Sequence, residues 1–316
     1  MNKRIALTGS TGFIGGHLLE ELLSNGYHVS ALTRRPQRSR KNVRWIIGSL
    51  ENKEVLSELL EEADVIINVA GLVKAKSQKE FITANSDPVL NLINAVKASL
   101  KNPHFIQVSS LVAREKNLSN YATSKHQGEM HLINSNLGIK WTIVRPPGVY
   151  GPKDNETLKI FKALSWRVAF SPSNSAFRVS WIHVEDLVKA ISCLMENSKY
   201  YNKIIELDDG SQNGYSHKEF YNTAAKILTL KPLHITLPKF ILKTLGHVND
   251  LLASILNYTP MISAMKVNEM CHPDWVCQNN VLGQITGWMP KYNFCLLYTS
   301  DAADDLLCVD LGGRRI

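Results

Sequence analysis

Tyr121 and Lys125 stand four residues apart in the run Y-A-T-S-K. On a helix that spacing puts both side chains on one face, within reach of one ligand. A phenol titrates near ~10 and is a poor base at neutral pH. An ammonium beside it stabilises the phenolate and brings that value down. The tyrosine can then take the proton of a hydroxyl or give one to a carbonyl oxygen. Ser109 and Ser110 end the strand pattern that precedes this helix, and a hydroxyl there can hold the substrate oxygen. The chemistry to expect is proton transfer at a carbonyl or secondary alcohol of a small molecule. Taken alone, a Y-x-x-x-K pair is also what an ordinary surface helix shows.

A second cluster supplies the other half of such a reaction. T-G-S-T-G-F-I-G places Gly9, Gly12 and Gly15 at three-residue spacing, after the first apolar strand and at the start of the first helix. Gly9 permits the tight turn, Gly12 a close approach of backbone to a pyrophosphate, and Gly15 close packing of helix on sheet. The exposed N–H groups at the positive end of that helix then hold the pyrophosphate. Thr11, Phe13 and Ile14 complete the expected contacts of this loop. The other reading is a structural turn. A dinucleotide site normally carries an acid at the end of the second strand, about 20 residues further on, to bind a ribose 2′-hydroxyl. Here that place holds Thr33-Arg34-Arg35, followed by Arg38, Arg40, Lys41 and Arg44. A forked cation in place of an acid suits a 2′-phosphate, so NADP(H) is preferred and NAD(H) stays possible. Arg34 is the first-choice contact and Arg35 the second; a solvated basic loop is the alternative.

These clusters need a scaffold, and the patterning supplies one. Apolar strand runs at Lys3–Gly9, Tyr27–Thr33, Val43–Ile47, Asp64–Val69, His104–Ser109 and Trp141–Val144 alternate with helical runs at Phe13–Ser24, Lys53–Glu62, Lys79–Leu100 and Tyr121–Asn136. Pro88 falls inside the third of those helical runs and belongs in the first turn of a helix that starts near Ser86. Continuous apolar strands between amphipathic helices mean a parallel sheet covered on both faces. The fold class is therefore α/β, a doubly wound (Rossmann) parallel sheet with a smaller C-terminal substrate-binding lobe. The expected boundaries are a dinucleotide-binding domain over 1–150, receiving elements from about 180–195, and a substrate lobe over 151–294.

Composition narrows the classes. The chain has 316 residues, 44% apolar and 20% charged, with a net charge of +8 from 36 basic and 28 acidic residues. That excludes disordered, collagenous and coiled-coil proteins. The excess of cations suits an anionic ligand; no arginine-rich tract with interleaved aromatics points to nucleic acid. Cysteines at 193, 271, 277, 295 and 308 show neither C-x-x-C nor zinc spacing, so neither a disulfide framework nor a metal site is expected. The N-terminus runs straight into a strand without a secretory core, and no uncharged apolar run is long enough for a membrane span. A reducing, cytoplasmic setting is the expectation.

The pieces T-G-S-T-G-F-I-G, N-V-A-G (68–71), V-S-S (108–110), Y-A-T-S-K, R-P-P-G-V-Y-G-P (145–152) and W-I-H-V-E-D-L (181–187) together resemble the extended short-chain dehydrogenase/reductases of the NAD(P)-dependent epimerase/dehydratase group. The likeness covers residues 1–190. It implies that Tyr121 is the general acid/base, that Lys125 binds the nicotinamide ribose and tunes the tyrosine, and that Ser110 polarises the substrate oxygen. It implies further that Ala70, Gly71 and Asn85 stand near the cofactor, that the backbone of Pro146, Pro147 and Gly148 lines the nicotinamide, and that helices 86–100 and Tyr121–Asn136 form a homodimer bundle. The implied activity is hydride transfer between nicotinamide and a carbonyl or secondary alcohol. A nucleotide-sugar epimerase that retains its cofactor is the second reading, and a non-catalytic cofactor-binding assembly or regulatory protein the third. There are departures. Gly48-Ser49-Leu50 lacks the acid often found near the adenine, Leu111 and Val112 replace the Asp-Glu pair of sugar 4,6-dehydratases, and Arg178 sits one position off the diphosphate clamp of sugar epimerases. Phosphate binding and surface pairing are equal readings for Arg178.

In the second lobe, His183 reads as structural and Asp186 as a helix cap or brace. Residues 237–256 form a broad apolar helical stripe, best read as a packed helix, with pocket cover or membrane-surface contact as the alternatives. Trp275 and Trp288 suit a pocket wall or core. Residues 295–316 break the texture. C-L-L-Y-T-S back-translates to TGT CTC TTA TAC ACA TCT, which resembles a transposase end used in sequencing libraries, so the segment is expected to be adapter read-through after Phe294 and is set aside. Without its two arginines and four aspartates, 36 − 2 = 34 basic and 28 − 4 = 24 acidic residues remain, a net +10.

Overall fold

The computed structural model describes residues 3–99, 101–135, 138–172, 177–256, 258–260, 262–278 and 288–294. The segment 295–316 lies outside the described residues. Two compact units are present. One takes Met1–Arg145, Val188–Glu206 and Val281–Trp288; the other takes Pro146–Leu187, Leu207–Asn280 and Met289–Ile316.

The chain begins with β1 (Arg4–Thr8), α1 (Phe13–Ser24), β2 (His28–Thr33), β3 (Val43–Ile47), α2 (Lys53–Leu60) and β4 (Val65–Asn68). It continues through α3 (Gln78–Asn85), α4 (Asp87–Ala98), β5 (His104–Val108), α5 (Asn120–Ile133) and β6 (Trp141–Arg145). The long helical run expected over 79–100 is two helices. Ser86 breaks it, and Pro88 sits in the first turn of α4, where its missing N–H costs nothing. The second unit opens with β7 (Gly148–Tyr150), α6 (Asn155–Ser165), β8 (Val168–Pro172), β9 (Arg178–Val179) and β10 (Trp181–His183). Most of α7 (Val184–Glu196) and all of β11 (Lys203–Glu206) belong to the first unit, and the second continues with β12 (Tyr215–Ser216), α8 (His217–Ile227), β13 (Leu233–Leu237), α9 (Lys239–Leu256), α10 (Ala264–Met270) and β14 (Asp274–Trp275).

In the first unit, β11, β6, β5, β4, β1, β2 and β3 form one sheet in that order. Every pairing in it is parallel. This is the doubly wound α/β sheet expected from the sequence. Its strand order reverses between β1 and β4, so the carboxyl ends of those two strands border the ligand crevice of such folds. Burial explains the strand composition: Ile5, Leu7, Ile66, Ile67, Phe105, Ile106 and Val144 are all fully enclosed, as strands with helices on both faces must be. On one face, Leu56, Leu59, Leu92, Ile93 and Leu132 close the core, and each such side chain contributes ~2 kcal/mol of burial.

The second unit uses short sheets: β7 with β10, β9 between β12 and β14, and β8 with β13. Its core is aromatic. The Trp181, Phe220 and Phe294 rings cluster with their planes nearly parallel, Phe220 at 4.6 Å from each of the other two and those two 6.1 Å apart, with Tyr150 and Tyr215 edge-on to Phe294. Backbone N–H groups of Tyr292 and Phe294 donate to Asp186 and Asp209, fixing the end of the described chain to this cluster. Asp186 is thus a brace, and His183 is buried between Tyr150 and Tyr292, in keeping with a structural role.

Candidate active site

The glycine loop joins β1 to α1. Gly9 has φ +71°, and a Cβ there would stand 2.7 Å from the Ala70 nitrogen. A Cβ on Gly15 would stand 2.0 Å from the Gly9 carbonyl oxygen. Neither position accepts any other residue, because each meets rigid backbone. Gly12 is the N-cap of α1; no side chain caps that end and no acid stands in its first turn. By contrast, α2, α3, α5, α6, α8 and α10 are each capped by a side-chain oxygen. The first N–H groups of α1 are therefore left for an outside anion. Thr11 and Gly12 are exposed, and Phe13 and Ile14 half-buried, at this end. The Ser10 hydroxyl donates to the Leu32 carbonyl, 3.4 Å away, and ties the loop to β2. These residues fit the pyrophosphate of a dinucleotide.

Across the crevice, β4 runs into Ala70 and Gly71. The Ala70 N–H donates to the Thr8 hydroxyl, and Thr8, Asn68 and Gln107 link side chain to side chain over the ends of β1, β4 and β5. A Cβ on Gly71 would stand 2.6 Å from Asn85 Oδ1 and 3.2 Å from Lys125 Nζ. Residues far apart in sequence thus converge on one bare glycine. Asn85 is buried and fully used: its Oδ1 accepts from the Leu72 N–H at 2.8 Å, and its Nδ2 donates to the Leu72 carbonyl and to Ser124 Oγ, each at 3.0 Å. Ser124 Oγ in turn donates to the Tyr121 carbonyl at 2.8 Å.

Helix α5 starts where the Ser119 hydroxyl accepts from the Ala122 N–H, so Tyr121 lies in its first turn. Its ring is 5.8 Å from Phe81 of α3. Lys125 follows one turn later, buried, with Nζ donating to the Val108 carbonyl at 3.3 Å. Burial pushes the Lys125 ammonium down to about 8, against the upward pull of the Glu129 carboxylate. Gly128 lets α5 sit this close, since a Cβ there would be 2.7 Å from the Asn85 carbonyl oxygen.

The two serines separate cleanly. The Ser109 hydroxyl donates to Glu129 Oε1 at 2.5 Å, inside the protein. Ser110 caps the turn Leu111–Glu115 and is half-buried, so of the pair it is the one open to a ligand. Glu129 also takes a bidentate pair from Arg145, at 2.9 and 2.6 Å, and Arg145 and Arg114 both face Glu206. The sequence reading missed this buried ion network. The signal was present: Tyr121, Lys125 and Glu129 repeat at four-residue spacing along one helix face.

At the end of β2, the Thr33 hydroxyl closes a local turn with the Arg35 carbonyl, leaving Arg34 and Arg35 exposed. The basic run beyond them is partly spent. Arg40 pairs with Glu20 and Arg44 with Glu58 and Glu61. Among the described residues, Arg34 and Arg35 have no ion-pair partner. In the second unit, Pro147 and Gly148 are half-buried, and Gly148 lies flat under the Trp181 indole, 2.5 Å from where a Cβ would sit. Arg178 pairs with Glu219 at 2.9 Å, the surface-pairing alternative. Trp275 is core, its indole N–H donating to the Glu269 carbonyl. Among the described residues no His/Cys/Asp/Glu group could hold a metal, and no helix is long and apolar enough to cross a membrane.

A parallel sheet that reverses at β1 and β4, a glycine cradle on an uncapped helix and a Tyr–Lys stripe beside it define a dinucleotide-dependent enzyme. The sequence model of the NAD dependent epimerase/dehydratase family matches residues 5–206, and the chain belongs to that family as an NAD(P)-dependent enzyme of the extended short-chain dehydrogenase/reductase type. It is 34% identical to the ceramide reductase of Caulobacter vibrioides (strain NA1000 / CB15N) over 275 residues, 86% of this chain and 85% of that protein. It is 25% identical to the decarboxylating sterol-4-alpha-carboxylate 3-dehydrogenase of Dictyostelium discoideum, over 81% of this chain and 86% of that protein. The solved structure of MoeE5 in complex with UDP-glucose and NAD superposes with a TM-score of 0.71 at 18% identity, covering 92% of this chain and 94% of that one.

Proposed function

We propose that this chain reduces the ketone of a long-chain lipid to a secondary alcohol, with NADPH as the preferred cofactor. The observation that carries the reading is the convergence of Asn85 Oδ1 and Lys125 Nζ on Gly71, with Tyr121 one turn before Lys125 on the same helix face. NADPH supplies the hydride when bound. The Tyr121 hydroxyl gives its proton to the carbonyl oxygen as that oxygen gains charge. The Lys125 ammonium stabilises the phenolate left behind. The Ser110 hydroxyl donates to the same carbonyl oxygen and holds it in line. Asn85 acts as a positioning residue that fixes the Gly71–Leu72 backbone against α5. Arg34, with Arg35 beside it, takes the 2′-phosphate that distinguishes NADPH from NADH.

The lipid reading is supported by the names of the relatives, a ceramide reductase and a sterol dehydrogenase. A sugar-diphosphate reading loses support because Arg178 is engaged by Glu219. The reading includes a reducing, cytoplasmic setting, which the free Cys193, Cys271 and Cys277 suit, and a homodimer through α4 and α5. The test is NADPH consumption by the full chain with a 3-oxo long-chain amide lipid, a 3-oxo sterol and UDP-glucose as rival substrates. Tyr121→Phe is expected to lose about a thousandfold in turnover while still binding NADPH, and Arg34→Ala to weaken NADPH but not NADH. Turnover of UDP-glucose alone, or full activity in Tyr121→Phe, overturns the proposal.

A further inference from the structure

Helix α9 buries the wrong residues for an ordinary packed helix. Among its 18 residues the fully buried ones are Gly246 and Ala253. Its large apolar side chains face outward: Phe240 is 70% exposed, Leu251 63%, Ile255 70% and Leu256 67%, with Leu245, Val248 and Leu252 exposed as well. At ~100° per residue these side chains fill an arc of roughly 160°. Tyr258, Ile262 and Met265 extend the apolar surface beyond the helix end.

The polar residues lie on the other side of the helix. Asn249 Nδ2 donates to the Ile262 carbonyl at 2.7 Å, and Asp250 accepts from the Ala264 N–H at 3.0 Å. Gly246 lies so close to the Ala264 backbone that a Cβ on it would stand 2.7 Å from the Ala264 nitrogen. Helix α9 is therefore fastened to the start of α10 by its small and hydrogen-bonding residues. Asp250 is its one acid, and that acid is used. Lys239, Lys243 and His247 follow one another at four-residue spacing, stepping round the helix towards one edge of the apolar arc, and among the described residues they have no acidic partner.

We propose that this face of α9 lies in the surface of an anionic lipid bilayer, apolar arc down and Lys239 and Lys243 at the headgroups. An amphipathic helix with a wide apolar arc and a basic edge has the form of an interfacial helix. Its charge complement is anionic lipid, and each lysine at such a surface strengthens binding. A second copy of the chain is a poorer match. A two-fold contact sets this patch against itself, and the patch offers no free acid to meet its own cations. The inference does not depend on which substrate the active site takes.

The test is co-sedimentation of the full chain with vesicles of phosphatidylcholine alone and with phosphatidylglycerol added. The chain is expected to sediment with the mixed vesicles and much more weakly with the neutral ones. A Leu251→Asp/Ile255→Asp chain is expected to lose at least tenfold in binding to both. A Lys239→Gln/Lys243→Gln chain is expected to lose about thirtyfold on the mixed vesicles alone. Both variants sit on exposed positions, so melting temperature and NADPH binding should match the parent and separate loss of docking from loss of fold. No sedimentation of the parent overturns the proposal. So does vesicle binding unchanged in Leu251→Asp/Ile255→Asp while light scattering shows a dimer becoming a monomer, which would make a second copy the occupant.

Discussion

Helices α4 and α9 read alike as sequences, each with large apolar residues at helical spacing and polar residues between them, and they end in opposite situations. In α4, Val89, Leu92, Ile93 and Val96 are at most 4% exposed. In α9 the equivalent stripe faces out, and a glycine and an alanine are buried in its place. The difference lies in what each helix meets. The apolar side of α4 meets the sheet core through Phe105 and Ile143 and the helices α2 and α5. Helix α9 meets the start of α10 so closely at Gly246 that a Cβ there would clash with the Ala264 backbone. Periodicity establishes that a stripe exists; the neighbour decides whether it becomes core or surface.

Truncation separates the two helices most sharply. Leu92→Ala should lower the unfolding free energy by about 3 kcal/mol, read from urea unfolding. The burial of α4 also reaches the chemistry, since Gly128 of α5 nests against Asn85 and Val89. Gly128→Ala should cost about 2 kcal/mol of stability by overpacking, and turnover should fall with it as Lys125 is pushed off the Gly71 site. Helix α5 adds a pH test. With Lys125 held at about 8, kcat/KM of the free enzyme should fall on the alkaline side near that value. Stability should move the other way. The unfolded chain holds this proton more tightly than the folded one, so the penalty of the buried ammonium is relieved as pH rises from about 8 towards 10.5. Glu129→Gln removes the carboxylate that raises Lys125 and should shift the alkaline limb to lower pH. The smallest effect belongs to α9: Leu252→Ala should change stability by no more than about 0.5 kcal/mol. A loss there equal to that of Leu92→Ala would mean that α9 is covered in solution by the protein itself.

Much of the fold was legible because its signals are local. The doubly wound sheet follows from apolar runs such as Val65–Asn68 alternating with helical stripes. The glycine loop was legible for the same reason: Gly9 and Gly15 meet each other across a single turn. Other features needed tertiary partners. That Ser109 turns inward and Ser110 does not depends on Glu129, twenty residues on. Arg40 and Arg44 belong to the same basic run as Arg34, and only their distant partners Glu20, Glu58 and Glu61 set them apart from it. The sequence favoured a packed α9 for the same reason: the apolar count was right, and nothing in it announced that Gly246 and Ala253 would take the inner side.

Asn85 joins three stretches of chain through one amide: its own helix α3, the backbone at Leu72 and the α5 serine Ser124. Segments fastened to a common rivet cannot loosen separately. Fluctuations that open the crevice at Leu72 must also free the first turn of α5, so amide exchange at the two places should share one opening event, and the proton-transfer stripe is assembled or dismantled as a unit.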